Sequence, residues 1–311
     1  MRYFLKKLAV MLATLLVLSF LSFAAFEMIG DPVTTILGTN ATPEAMAELR
    51  AEMGLDRPLF VRYLDWLGHF VTGDYGTSYI YRLPVKAMLG EKLINTLVLT
   101  LMGFIFAVAA SIPLGVISAR NEGGWLDRFL TVFNQITMAI PPFFVAIVLM
   151  LLFGLLLRLF TPGSFVSYKD SPIGFLLYMI FPAISIALPR AAMTEKMLRT
   201  SILEEMQKPY IQTAYARGRS RQSTLKAHAL KNAMLPVITF LAANVAEMLA
   251  GSIVIEQIFS IPGIGRLLMT AIGQRDVPVV EAIIMILAVW VMMVHFISEI
   301  LSEAFDPRMR S

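Results

Sequence analysis

Six long stretches of this 311-residue chain are almost free of charged side chains. They cover residues 8–26, 93–119, 129–157, 171–189, 232–255 and 282–298. A helix that crosses a bilayer needs about 20 mainly apolar residues, within a range of roughly 17–25. Lipid offers no hydrogen-bond partners, so such segments form helices, whose backbone groups are paired internally. The sequence therefore predicts an all-α integral membrane protein with six transmembrane helices.

The composition excludes other classes of protein. Hydrophobic residues make up 57% of the chain and charged residues only 15%, whereas soluble domains carry roughly 25% charged residues. A soluble protein this apolar could not cover its surface with polar atoms, and a disordered chain is far more polar. The chain has no cysteine and only three histidines, at positions 69, 228 and 295. This excludes disulfides and a zinc motif of paired histidines, so we expect no metal site.

Basic residues fix the expected orientation of the helices. The first stretch follows Arg2, Lys6 and Lys7, but it is too long for the apolar core of roughly 7–15 residues in a signal peptide. We therefore expect an uncleaved first helix. Sixteen of the 26 Lys and Arg residues fall on the side of the two termini, nine of them between Arg190 and Lys231. Because a basic excess marks the cytoplasmic side, both termini are predicted to be cytoplasmic.

The loop over residues 30–92 is predicted to be helical. Thr42 and Pro43 are typical of a helix start, and this helix is expected to end near Gly54. A second amphipathic helix is predicted over residues 59–70, where its aromatic side chains suit a membrane boundary. The loop is either a surface subdomain or a docking surface for an external partner.

The segment between the fourth and fifth stretches carries a short predicted helix. Pro209 interrupts a helical pattern, a short helix follows from Tyr210, and Gly218 ends it. Ser220 is placed to begin the next helix. Two interpretations stay open for the short helix: a lever between two membrane helices, or a basic helix that binds anionic lipid headgroups.

Small residues recur at every fourth position in two of the stretches. They are Ala107, Ser111, Gly115 and Ala119 in the second, and Ala242, Ala246 and Ala250 in the fifth. Such stripes allow helix backbones to approach closely, either within the chain or with another subunit.

The order and spacing of several short motifs resemble those of a permease subunit of an ABC importer of the oligopeptide/dipeptide/nickel type. On the outer loop the motifs are Gly30-Asp31-Pro32, Thr42-Pro43-Glu44, Gly54-Leu55-Asp56-Arg57-Pro58-Leu59, Tyr63-Leu64-Asp65-Trp66-Leu67 and Gly73-Asp74-Tyr75-Gly76-Thr77-Ser78. Further on they are residues 210–218, His228-Ala229-Leu230-Lys231-Asn232-Ala233, Leu235-Pro236, residues 256–265, Asp276-Val277-Pro278-Val279-Val280 and Asp306-Pro307-Arg308. The resemblance implies the type I ABC importer permease fold.

The resemblance further implies that the short helix is the coupling helix, which docks on a cytoplasmic ATPase subunit. The residues it assigns to this role are Tyr210, Thr213, Ala214, Ala216, Arg217 and Gly218. Ala214, Ala216 and Gly218 match the small positions of the EAA loop of this family. The glutamate that opens that loop is replaced here by Gln212 or Thr213, and the Leu-Pro pair comes late, at positions 235 and 236.

The implied domains are an N-terminal tail with the first helix (1–29), an extracytoplasmic helical loop (30–92), a core of five helices (93–306) and a C-terminal tail (307–311). The core includes a coupling segment over residues 194–231. The implied location is the bacterial plasma (inner) membrane.

Glu247 is the only charged residue expected well inside a span. An acid at bilayer depth usually faces the interior of the helix bundle. It either lines a substrate pathway with Asn244 and Gly251 or is paired with a neighbouring helix. A group of five residues further along the chain is assigned to an outer gate or, alternatively, to a structural turn. These residues are Glu256, Phe259, Pro262, Gly263 and Gly265.

The predicted function is to form half of the translocation pathway of an ATP-driven importer for peptides or related solutes. The chain lacks a GxxxxGK[ST] phosphate loop, so it is not expected to be an enzyme, to have catalytic residues or to bind a cofactor. ATP and Mg would be used by partner subunits. The expected partners are a homologous second permease, two ATP-binding subunits, an extracytoplasmic solute-binding protein and the lipid bilayer, with no nucleic acid. The alternatives are import of nickel or metallophore complexes, an ion-coupled secondary transporter and an intramembrane hydrolase.

Overall fold

The computed structural model describes residues 2–29, 32–38 and 41–305. Within these ranges the chain is helical and contains no β-strand. The helices are α1 (Arg2–Ile29), α2 (Pro32–Leu37), α3 (Pro43–Glu52), α4 (Leu59–Val71), α5 (Val85–Arg120), α6 (Trp125–Ala139), α7 (Pro142–Leu149), α8 (Pro172–Met206), α9 (Pro209–Ala216), α10 (Arg221–Thr224), α11 (Leu230–Ile258), α12 (Ile264–Gln274) and α13 (Val277–Phe305). A π-helical segment, Met150–Leu156, continues α7, and another, Leu225–Ala229, joins α10 to α11. Residues 30, 31 and 306–311 lie outside the described residues. They include two residues of the first motif, all of the last motif and the predicted C-terminal tail.

Five helical segments are long and apolar enough to cross a membrane. They are Phe4–Phe26, Val85–Arg120, Pro172–Met206, Arg221–Ile258 and Val277–Ile300. The predicted third span is bent by 100° between Trp125–Ala139 and Pro142–Leu156, so the expected six spans are reached by counting this pair as one. The bend falls at Pro141 and Pro142, which lack a backbone N–H, and Ile140 before them adopts an extended conformation. The all-α membrane fold is thereby confirmed.

The described residues fall into two compact units. The first comprises those up to Ile94 together with Gly263–Phe296, and the second comprises Asn95–Pro262 with those from Ile297 onward.

In the first unit the predicted loop helices form close to their expected bounds. The Thr42 hydroxyl accepts a hydrogen bond from the Ala45 backbone N–H and caps α3. The aromatic side chains of α4 pack on α1, where the Tyr63 hydroxyl lies 2.8 Å from the Ser19 hydroxyl and Phe23 meets both Tyr63 and Trp66. The loop is therefore anchored to the first membrane helix by its aromatic face.

Two of the sequence motifs meet in the first unit. Asp276 is fully buried at the start of α13 and accepts hydrogen bonds from the Ser78 hydroxyl and, at 3.0 Å, from the Tyr79 backbone N–H. Gly76 lies so close to Pro278 that an added Cβ would be 3.9 Å from the proline Cβ. Residues about 200 positions apart in sequence thus form one polar contact.

In the second unit, α8 packs along α11 and α6. All four small residues of the stripe on α5 are buried. A Cβ added to Gly115 would lie 3.0 Å from Leu198 Cδ2 and 3.2 Å from the Glu195 backbone oxygen, so α5 and α8 meet at backbone distance. This confirms the close helix contact predicted for the first stripe. The second stripe is only partly buried, since Ala246 is buried but Ala250 is exposed.

Candidate functional site

The short helix α9 is the first part of the candidate site. Pro209 occupies its first position, where a missing N–H costs nothing, and the chain leaves the helix through Gly218 at φ +82°. Ile211 is fully buried and is the one buried residue of the helix. Of the residues assigned to coupling, Ala214 is half-buried and the other five are exposed. The helix is thus held by one apolar side chain and presents the rest of its surface outward.

A tyrosine ties α9 to both neighbouring membrane helices. The Tyr210 hydroxyl donates to Glu205 Oε2 at 2.6 Å and accepts from Asn232 Nδ2 at 3.0 Å. Lys208 also contacts Glu205. Partial burial raises the pKa of Tyr210, and the hydrogen bond that its hydroxyl donates to the Glu205 carboxylate raises that pKa further. One side chain of α9 is therefore bonded to the end of α8 and to the start of α11.

Tyr210 was among the predicted site residues, but Glu205 and Asn232 were not assigned a role. Nothing in the spacing of residues 205, 210 and 232 indicates that their side chains converge. A cleft of about 380 Å³ opens beside α9 and is lined by Glu122, Leu203, Met206, Gln207, Tyr215 and Arg221. An ion pair between Arg221 and Glu122 crosses it.

A second polar cluster, centred on Asp127, braces the helices that lead to α9. Asp127 is 3% exposed and accepts hydrogen bonds from the Ser118 hydroxyl at 2.6 Å, the Gly123 backbone N–H at 2.9 Å and the Arg199 guanidinium. Nearby, Asn134 donates to the buried Glu195. The cluster joins the turn between α5 and α6 to α8, and sequence analysis missed it.

Glu247 lies on an exposed face of α11 and not in the bundle interior. Its side chain is 58% exposed and pairs with Arg190 of α8. The paired alternative is therefore present, but the expected burial is wrong within this chain. Two further acids, Asp127 and Glu195, are buried on α6 and α8, which extend beyond the uncharged runs. The sequence groups Arg190 with the cytoplasmic basic residues because the uncharged run ends at Pro189, whereas α8 continues through Arg190 to Met206.

The other two predicted pathway residues flank Glu247 on α11. Asn244 is 3% exposed, and its amide nitrogen has no hydrogen-bond partner among the described residues. Gly251 is half-buried, and a Cβ added there would meet no atom within 4 Å. Asn244 comes three residues before Glu247 and Gly251 comes four residues after it, so all three lie near one side of the helix.

The exposed positions of α11 form a continuous stripe along the helix. They recur every three or four residues, which is the period of one helix face. The stripe consists of Asn232, Pro236, Thr239, Glu247, Ala250, Val254 and Gln257, with Ala243 half-buried. Of the exposed positions of α11, only Lys231 is not in this set. We call the set the polar stripe of α11, after its polar members Asn232, Thr239, Glu247 and Gln257.

The residues assigned to the outer gate form a packed turn after α11. Glu256 is fully buried and accepts a hydrogen bond from the Thr96 hydroxyl. The Phe259 carbonyl accepts from the Tyr178 hydroxyl, and the Pro262 carbonyl accepts from Asn95 Nδ2 at 2.9 Å. Gly263 precedes α12 and Gly265 is buried in its first turn. Glu256, Phe259 and Pro262 thus pack in the second unit at the end of α11, and the gating role of the five residues stays a prediction.

No group of three or more His, Asp or Glu side chains able to hold a metal ion occurs in the described part of the chain.

Two family models together cover almost all of the sequence. Residues 111–311 match the model of the binding-protein-dependent transport system inner membrane component, and residues 1–100 match the corresponding N-terminal model. A putative peptide transport system permease protein of Brucella abortus is 34% identical over 98% of both chains. The oligopeptide transport system permease protein AppB of Bacillus subtilis is 34% identical over 98% of both chains. The dipeptide transport system permease protein DppB of Escherichia coli is 33% identical over 100% of this chain and 99% of its own length.

Proposed function

This chain belongs to the family of binding-protein-dependent transport system inner membrane components, and from that membership we propose that it forms half of the translocation pathway of an ATP-driven importer. As a member it is a membrane-embedded permease subunit of an ABC importer. The proposed solutes are peptides, because the relatives described above are named as peptide, oligopeptide and dipeptide permeases.

The polar stripe of α11 is the observation that carries the pathway proposal. Thr239 and Glu247 lie exposed on a helix long and apolar enough to span the membrane. A charged side chain facing lipid is costly, so such residues face protein or a water-filled path. A homologous second permease that covers this face leaves a polar path between the two subunits.

The surface of α9 supports coupling to a cytoplasmic ATPase subunit. This helix exposes small and polar side chains, which allow close approach of a partner, while Ile211 and Tyr210 fix it to the membrane helices. A push on α9 would thereby reach both α8 and α11. Two ATP-binding subunits would use ATP and Mg, and the permease chain would bind neither.

The orientation and the outer partner follow from the same proposal. If α9 meets the ATPases, both termini lie in the cytoplasm of a bacterial cell and the helices α3 and α4 lie outside. The loop they form is then the docking surface for a solute-binding protein. Import of nickel or metallophore complexes by the same architecture is the alternative, and the names of the relatives favour peptides.

Substrate-stimulated ATP hydrolysis by the assembled transporter tests the proposal. Ala216→Trp places a large side chain on the exposed surface of α9 and should abolish the stimulation while the complex still reaches the membrane. The matched control is Gln222→Trp, a substitution at an exposed position of α10 that should leave stimulation intact. Normal stimulation in both variants would contradict docking at α9.

A further inference from the structure

The ion pair between Arg190 and Glu247 joins α8 to α11, and both helices are long and apolar enough to cross a membrane. Glu247 interrupts the uncharged run over residues 232–255, and Arg190 directly follows the run over residues 171–189. Ionisable side chains within spanning segments are rare and mark substrate or ion pathways. The pair is therefore a candidate for contact with a solute that crosses the membrane.

The pair is open on the face that the polar stripe of α11 occupies. Glu247 is 58% exposed and Arg190 is 20% exposed in this chain. Ion pairs that water can reach contribute little to folding stability. The two charges are thus available to exchange partners at small cost to the fold.

A zwitterion is the solute that can replace both partners at once. Its ammonium group takes the place of the guanidinium on Glu247, while its carboxylate takes the place of Glu247 on Arg190. Every charge stays paired throughout the exchange, so neither Arg190 nor Glu247 is left without a partner on a spanning helix. A bare cation would pair with Glu247 alone and would face the positive charge of Arg190.

We infer that Arg190 and Glu247 form a binding site for the charged termini of a peptide, with Glu247 holding the ammonium end and Arg190 the carboxylate end. The inference rests on the proposed function and narrows its solutes to peptides with free termini. It also separates peptides from a bare metal ion, which offers no group to Arg190.

The test pairs substitutions in the protein with changes in the peptide. The membrane complex of permease and ATPase subunits is purified without the soluble binding protein, and binding of trialanine and N-acetyl-trialanine is measured by calorimetry. Glu247→Gln should weaken trialanine binding about tenfold or more and should not weaken binding of N-acetyl-trialanine, which has no ammonium group and whose carboxylate no longer competes with Glu247 for Arg190. Arg190→Gln should weaken binding of both peptides, since both keep the carboxylate. Trialanine with a C-terminal amide lacks that carboxylate and should bind the wild type and Arg190→Gln equally.

The double variant, Arg190→Gln with Glu247→Gln, removes both charges together and guards against misfolding caused by one unpaired charge. It should bind trialanine as weakly as the single variants do. Glu204→Gln, at an exposed carboxylate near the end of α8, should bind both peptides like the wild type. Equal binding of trialanine by the wild type and Glu247→Gln, or equal loss for capped and free peptides, would overturn the site.

An uptake assay on the wild-type complex with its binding protein distinguishes a failure of this inference from a failure of the proposed function. ATP-dependent uptake by that complex, together with unchanged binding in the variants, overturns the site alone. Absence of ATP-dependent uptake overturns the proposed function itself.

Discussion

Arg199 holds Asp127 with two parallel hydrogen bonds, 2.6 Å from Nε to Oδ1 and 2.8 Å from Nη2 to Oδ2. This paired geometry is among the strongest that side chains form. It fixes the start of α6 to the half of α8 that leads to α9. The short helix α9 is therefore attached to a braced support.

Asp127→Asn should destabilise the second unit because it leaves the Arg199 guanidinium without its countercharge. We expect a loss of roughly 3 kcal/mol, since breaking a buried pair costs about 3–5 kcal/mol and Arg199 is partly exposed. Thermal unfolding in detergent measures it. The control is Glu122→Gln, which breaks the exposed pair with Arg221 and should cost less than about 1 kcal/mol. Equal losses in the two variants would contradict the bracing role.

Tyr210→Phe should lower the coupling between ATP hydrolysis and transport. The variant removes the hydroxyl that bonds Glu205 and Asn232 and keeps the ring. A lost hydrogen bond costs only about 1 kcal/mol, so the protein should still fold. The measurement is peptide taken up per ATP hydrolysed, with Tyr215→Phe on the same helix as the control. An unchanged ratio in Tyr210→Phe would show that the link does not transmit motion.

Gly218→Trp should abolish substrate-stimulated ATP hydrolysis, whereas Gly218→Ala should preserve most of it. Gly218 has φ +82°, so both variants carry similar backbone strain of about 1–2 kcal/mol. No atom lies within 4 Å of an added Cβ, so the two variants differ in the bulk they present to a partner. Equal loss in both would assign the effect to strain and not to docking.

Gly115→Ala should destabilise the chain by about 1–3 kcal/mol, because its Cβ meets the Glu195 backbone oxygen and Leu198. Gly90→Ala on the same helix is the matched control. A Cβ at Gly90 meets no atom within 4 Å, and alanine favours the helix by roughly 0.5–1 kcal/mol. The two variants should shift the unfolding temperature in opposite directions, and a shift in the same direction would contradict the close contact of α5 with α8.

Much of the fold could be predicted from local sequence. Uncharged runs indicate the spans because lipid imposes helix formation. The Thr42 hydroxyl and the Pro209 ring indicate helix starts, the first as a cap and the second as a first helical residue. The bend at Pro141 was also encoded locally, but the length of the uncharged run concealed it.

The polar contacts could not be predicted in this way. Asp127 and Arg199 are 72 positions apart and Arg190 and Glu247 are 57 apart. Neither spacing carries a periodic pattern, since such partners are set by how α6, α8 and α11 pack. The ends of the helices could not be predicted from the uncharged runs either. Helix α8 continues well past its apolar run and includes Glu195 and Arg199.

Peptide uptake into proteoliposomes tests the central claim most directly. The chain is reconstituted with the second permease, the ATPase subunits and the binding protein, and radiolabelled trialanine is supplied outside. Uptake should require ATP and Mg on the α9 side of the membrane and should stop when the ATPase subunits are omitted. Uptake by this chain alone, or uptake driven by an ion gradient without ATP, would contradict the account.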